Sequence, residues 1–190
     1  MRGATILTLL LAATLVPALS HANWPKGLGV RATGLLPVDF ETDTRSRGGE
    51  AGIVYAVART TSLGLIAGAY TRRDGRKDEW LKSLVASVEV SPPSRLAPWV
   101  GFGFGIGRQR QVFDYQGWLT SKWARFDESA AHGAMSVGGG LRFGLSPRVN
   151  LRTGVEMRSI GGNSLGTDAP SLNRIQFFCW TASLEVFPGR

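Results

Sequence analysis

Apolar and polar residues alternate with a two-residue period through most of the chain after its first two dozen positions. That is the spacing at which successive side chains of a strand point to opposite faces. Between Met135 and Leu145, Met135, Val137, Leu141, Phe143 and Leu145 share one side, and Ser136, Gly138, Gly140, Arg142 and Gly144 share the other. Val149, Leu151, Val155 and Met157 likewise oppose Asn150, Arg152, Glu156 and Arg158. In the run before them Val100, Phe102, Phe104 and Ile106 oppose four glycines, and near the end Phe178, Trp180, Ala182, Leu184 and Val186 oppose Cys179, Thr181, Ser183 and Glu185. Eight such runs are predicted, at 27–36, 50–59, 62–71, 79–90, 98–108, 132–145, 149–159 and 173–187. The second and third, "GIVYAVA" and "LGLIAGAY", are apolar on both faces, and the pattern does not assign their facing.

The connections alternate in length. "PVDFETDTRSRGG", "RRDGRKD", the stretch from Gln109 to Ala131 and "IGGNSLGTDAPSL" are long and polar. A turn at Thr60-Thr61, the compact "SPPSRLA" and the tight "SPR" lie between them. Long outer loops alternating with short periplasmic turns are the layout of an outer-membrane barrel, and an even strand number leaves both termini on the periplasmic side. The facing supports this. A soluble barrel would have to expose every apolar stripe to water. In a bilayer the same stripes meet lipid, and the glycines, hydroxyls and charges fill the inside. Barrel closure also gives each backbone group a partner, as a membrane requires. The expected fold is therefore all-β, an eight-stranded antiparallel up-and-down transmembrane β-barrel. Its interior should be just wide enough for side chains to fill.

"APWVGFGFGIG", followed by "GGGLRFGLSPRVNLRTGVEMR", resembles the small eight-stranded outer-membrane barrels of the OmpA type. There a proline-aromatic-valine-glycine strand precedes a long loop, and a "GGGL" strand turns tightly into the next. The resemblance covers the mature chain in layout and residues 98–158 in motif, and implies the transmembrane barrel without a periplasmic domain. Such barrels usually end in an aromatic residue; here Phe187 is followed by "PGR". The resemblance implies a bacterial outer-membrane location and speaks for architecture more than for activity.

The first residues fit that location. Arg2, the apolar "ILTLLLAATLV" and "SHA" ending at Ala22 have the order of a signal peptide over 1–22, leaving a barrel domain over 23–190. Removing Arg2 lowers the net charge from +8 to about +7. The basic residues are dispersed, without the Lys/Arg-rich run that nucleic acid would call for, so the expected anionic partner is outer-membrane lipid and lipopolysaccharide. A monomer is expected. Cys179 stands alone, with no disulfide or metal partner, and reads as a small space-filling residue.

Candidate chemistry is sparse. The related enzyme to consider is the outer-membrane lipid A deacylase, an eight-stranded barrel that resembles an esterase with a Ser-His-acid constellation at its outer rim. His132 is the sole histidine of the mature chain. Ser136, on the same face, is about 13 Å away at strand rise, and Ser129 lies in the predicted loop. His132 is therefore expected to be a rim residue in contact with water or headgroups, and the protein not to be an enzyme. Scattered carboxylates with one histidine offer no metal site, and "GFGFGIG" is no phosphate loop, since its glycines keep strand period and no helix follows. No cofactor is expected.

Two groups of residues remain. Arg142 and Arg152 should face each other inside the barrel, since the "SPR" loop sets Leu145 opposite Val149. Acids should lie between them, and Glu185 and Glu89 are at similar depth. This network either fills and rigidifies the interior or acts as a plug or gate. In the third outer loop Phe113, Tyr115, Trp118, Trp123 and Phe126 are interleaved with Arg110, Lys122 and Arg125. Trp118 and Trp123 are the candidates for contact with an extracellular protein or glycan; the same aromatics could instead pack the loop on itself. A structural or surface-interaction role is expected, the alternatives being a lipid-modifying enzyme or a small-solute channel.

Overall fold

The computed structural model describes residues 27–38, 44–74, 77–116, 123–161 and 175–188. The expected signal peptide lies outside them. Eight strands follow in chain order: β1 (Gly27–Pro37), β2 (Thr44–Ala56), β3 (Thr61–Asp74), β4 (Lys77–Val90), β5 (Leu96–Gln116), β6 (Trp123–Ser146), β7 (Val149–Ile160) and β8 (Ile175–Val186). Each pairs antiparallel with its chain neighbours, and β1 pairs with β8 to close the barrel.

Every predicted run lies on a strand, but the first three outer connections are shorter than expected. β5 continues to Gln116 and β6 begins at Trp123, so most of the stretch from Gln109 to Ala131 is ladder rather than loop. "RRDGRKD" likewise pairs Arg72 with Glu79, Arg73 with Asp78 and Asp74 with Lys77, and β2 starts at Thr44 rather than residue 50. The cause is physical. Above the membrane a strand carries no lipid-facing apolar stripe, so the alternation that reveals it disappears while its hydrogen-bond ladder persists.

The outer face is apolar through the membrane band. Val100, Phe102, Phe104 and Ile106 on β5, Met135 and Val137 on β6, and Phe178, Trp180 and Leu184 on β8 are all exposed. The structure also decides the two ambiguous strands. Ile53 and Tyr55 of β2 and Leu63 and Leu65 of β3 face out, whereas Val54, Ala56, Ile66 and Tyr70 are buried inside. These buried residues supply what alternation alone cannot, since the interior is not wholly polar. At the periplasmic end Val54, Ala56, Ile66 and Phe187 form one apolar cluster. Toward the outer end Tyr70, Leu81, Val85, Ala134 and Ile160 form another, with Phe177 stacked on Tyr70 at 4.5 Å. Gly29 makes room for the first, because a Cβ there would come within 2.6 Å of the Phe187 ring.

The β6–β7 turn keeps the expected register with one adjustment. Arg142 is opposite Arg152, but Ser146 rather than Leu145 pairs with Val149, and Leu145 is accommodated as an irregularity before the Pro147–Arg148 turn. An extra residue at the tight end of a hairpin lets the strands keep their facing while the turn shortens.

Candidate functional site: the interior charges and the outer hairpin

Between the two apolar clusters lies a layer of buried charge. Inward positions of four different strands supply it: Arg31 on β1, Glu89 on β4, Arg152 on β7 and Glu185 on β8. Arg31 donates from Nε to Glu185 Oε1 at 2.8 Å and from Nη2 to Glu89 Oε2 at 3.0 Å. Arg152 Nη2 lies 2.7 Å from the same Glu89 oxygen, and its Nε lies 3.8 Å from Glu185 Oε1. Asn150 donates to the other Glu185 oxygen at 3.3 Å. Cation and anion alternate around this ring, so each charge has two opposite neighbours.

Three of the four residues singled out in the sequence, Glu89, Arg152 and Glu185, meet here. The fourth, Arg142, is set directly opposite Arg152 by the register, with Glu89 and Glu185 in electrostatic reach. Its guanidinium donates to the Pro92 carbonyl of the β4–β5 turn at 3.0 Å. Arg31 fills the fourth place, and sequence reasoning missed it. Its signal was present but short: Gly29, Arg31 and Thr33 form the polar phase of β1 against Leu28, Val30 and Ala32.

A second cluster joins Arg158 on β7 to Glu50 on β2, with Nη2 2.7 Å from Glu50 Oε2 and 2.6 Å from Glu156 Oε2. Arg158 Nη1 also pairs with Glu50 Oε1. With Arg142 included, four arginines and four glutamates share this stretch of the interior. A cavity of about 40 Å³ separates the two clusters and is bordered by Arg31, Glu50, Glu89, Arg152 and Arg158. That is room for ordered water, since one water molecule needs about 10–15 Å³ of such space.

Trp99 ties this layer to the wall. Its ring lies under the Arg152 guanidinium at 3.8 Å, and its Nε1 donates to the Thr153 carbonyl at 3.2 Å. A glycine beside it makes this possible. Gly140 and Gly154 are paired across β6 and β7, and a Cβ at Gly154 would stand 2.7 Å from the Trp99 ring. Gly154 thus clears the wall for the ring, while the inward glycines of "GGGL" make room for other neighbours, Gly138 for the Glu156 side chain and Gly140 for the β7 backbone at Thr153 and Gly154.

His132 departs from expectation. Because β6 begins at Trp123, His132 is not at the strand's outer end; it points inward and is only 1% exposed, so it contacts neither bulk water nor headgroups. Neither ring nitrogen has a hydrogen-bond partner among the described residues, so no serine is engaged there. Cys179 is fully buried, its thiol 3.4 Å from the Glu156 carbonyl. Among the described residues no group of histidine, cysteine and carboxylate side chains is placed to hold a metal ion.

The outer hairpin is the other candidate. Ten β5–β6 pairs, from Gly107–His132 to Gln116–Trp123, continue past Ile106, where the lipid-facing stripe of β5 ends. At about 3.3 Å per residue and a tilt near 40°, they reach on the order of 25 Å beyond the apolar band. Arg110 grips Asp127 across this ladder, with Nε at 2.8 Å, and lies over the Trp80 ring at 5.7 Å. Trp123 opens β6 opposite Gln116; Trp118 lies outside the described residues.

Closed topology, lipid-facing apolar stripes and a packed polar interior define a transmembrane β-barrel of the small eight-stranded kind. The fold is that of known outer-membrane barrels. Neisserial surface protein A superposes with a TM-score of 0.60 at 15% identity, over 85% of this chain and 96% of that one. Ail, the attachment invasion locus protein of Yersinia pestis, matches at 0.49 and 14% identity over 85% and 98%. The N-terminal β-barrel domain of Pseudomonas aeruginosa OprF matches at 0.45 and 15% identity, again over 85% and 98%. No family model and no curated protein sequence matches the chain.

Proposed function

We propose that the protein is a non-enzymatic, non-conducting monomer of the bacterial outer membrane that presents its β5–β6 hairpin as a contact element for an extracellular protein or glycan. The observation that carries this reading is the hairpin itself. A barrel needs about 9–11 residues per strand to cross the membrane, whereas β5 and β6 have 21 and 24. A ladder held that far above the bilayer by paired strands and by the Arg110–Asp127 bridge has no role in spanning. The interior supports the non-conducting half of the reading, since two apolar clusters cap a charge layer from below and above. Against a deacylase-like activity stands the burial of His132 without a serine partner.

The test is a trimmed barrel. Val112 and Asp127 are register partners, so Phe113–Phe126 can be replaced by an Asn-Gly turn between them. Native and trimmed barrels in nanodiscs are then applied to arrays of extracellular-matrix proteins and of neutral and sulfated glycans. The native barrel should capture at least one class, and the trimmed one should lose it while folding normally. Trp118→Ala and Trp123→Ala should each weaken capture by the order of 2 kcal/mol. Equal capture by both barrels, or unitary conductance in planar bilayers, refutes the proposal.

A further inference from the structure

The outer surface changes character abruptly on one side of the barrel. Across the paired strands β2 to β6, one row of outward residues reads Ala51, Ala67, Leu84, Ile106 and Gly133. The next row up, one pleat away, reads Gly49, Ala69, Lys82, Arg108 and Ala131, and the one above it Arg47, Thr71, Trp80, Arg110 and Ser129. Cations therefore begin immediately where the lipid-facing side chains of Leu84 and Ile106 stop. On β7, β8 and β1 no outward-facing side chain among the described residues is charged. Among the described residues the exposed outer cations lie on the β2–β6 flank.

Lys82 and Arg108 occupy the lip of the apolar band and are direct register partners on neighbouring strands. Like charges so placed, about 5 Å apart at Cβ, destabilise a sheet unless something lies between them. Higher up, charge is already met within the protein: Asp127 takes Arg110 and Asp78 takes Arg73. Lys82, Arg108 and Arg47 are exposed, and among the described residues none of them meets a carboxylate; Arg108 donates only to Ser129 Oγ at 3.3 Å.

We infer that this flank binds a phosphorylated lipid headgroup of the outer leaflet, with one phosphate bridging Lys82 and Arg108 and Arg47 close by. Position selects the lipid over a soluble polyanion. A ligand whose phosphate rests on Lys82 and Arg108 has Leu84 and Ile106, 44% and 60% exposed, directly beneath it for acyl chains. Beside them the small residues Gly49, Ala51, Ala67 and Ala69 leave the wall low. Trp80, half-buried in the row above, sits at headgroup level, where aromatic side chains concentrate. This inference is independent of whether the hairpin tip has a partner.

The test uses the full barrel in phosphatidylcholine nanodiscs doped with bis-phosphorylated lipid A or with the same lipid stripped of phosphate. Lipid retained on the purified barrel is counted by mass spectrometry. The native barrel should enrich the phosphorylated form by about tenfold or more, as expected for charge-assisted contacts. Lys82→Gln with Arg108→Gln should abolish most of that preference. Arg59→Gln with Arg148→Gln, which removes the same charge from the periplasmic turns, should leave it intact. Heat-modifiable migration on gels reports folding, and the comparison of the two lipids on the native barrel stands even if the double variant does not fold. Equal retention of both lipids by the native barrel overturns the inference. So does equal loss in the two double variants, or displacement of retained lipid A by a soluble polysulfated glycan.

Discussion

Removing one carboxylate from the interior ring makes the sharpest demand on the structure. Glu185→Gln keeps size and one acceptor oxygen but leaves Arg31 and Arg152 sharing Glu89 alone. Glu185 engages both arginines and Asn150, and all the charged partners are at most 8% exposed at the side chain. A charge-assisted hydrogen bond contributes about 1.5–3 kcal/mol, and breaking a buried pair costs about 3–5 kcal/mol. Glutamine still accepts one hydrogen bond, which places the expected loss near the lower end, about 3 kcal/mol. The ring's geometry then predicts a rescue. Arg31→Met with Glu185→Gln removes one cation and one anion and leaves Arg152 and Glu89 as a neutral pair 2.7 Å apart. The double variant should therefore recover much of the loss, with a coupling of about 2 kcal/mol or more. Urea unfolding of the four species in lipid vesicles, followed by tryptophan fluorescence, measures the cycle. Losses that add to within about 0.5 kcal/mol for Arg31 and Glu185 would refute the ring as a unit of stability.

Other substitutions check the facing and packing. Val155→Arg, mid-strand on the lipid side of β7 beside the exposed Trp180, should cost about 2–4 kcal/mol; unchanged folding into vesicles would contradict the facing. Gly140→Ala, where a Cβ would overlap the β7 backbone at Thr153 and Gly154, should cost about 1–3 kcal/mol by overpacking, read from the same urea curves. Phe187→Ala should lose about 3 kcal/mol from the periplasmic cluster, and planar bilayers should still show no conductance because the charge layer above remains. Cys179, fully buried, should resist maleimide in the folded barrel and react on unfolding; rapid labelling of the folded protein would mean that the interior is open to solvent.

Strand number, strand order and the lipid-facing side of β5 to β8 were legible in the sequence because a membrane forces them into it. Each crossing strand must carry an apolar stripe, and Val100 to Ile106 or Phe178 to Leu184 announce their facing residue by residue. Glu89, Arg152 and Glu185 could be placed inside for the same reason, by counting in twos from those stripes. Where the membrane stops the announcement stops, so the ladders of Gln109–Gln116 and Trp123–Ala131 looked like loop, and His132 looked like a rim residue. Strands apolar on both faces were equally silent: only closure of the barrel puts Val54 and Ile66 inside and Ile53 and Leu65 outside. The partners within the interior were beyond periodicity altogether. Arg31 and Arg142 are both inward arginines, and nothing local distinguishes them. The stagger of eight tilted strands brings β1 alongside β8 and within reach of β4, so that Arg31 meets Glu89 across 58 positions of chain and Glu185 across 154. The same stagger leaves Arg142 facing a turn carbonyl. Alternation reports which face a residue is on; its height and its neighbour across the lumen are properties of the closed barrel.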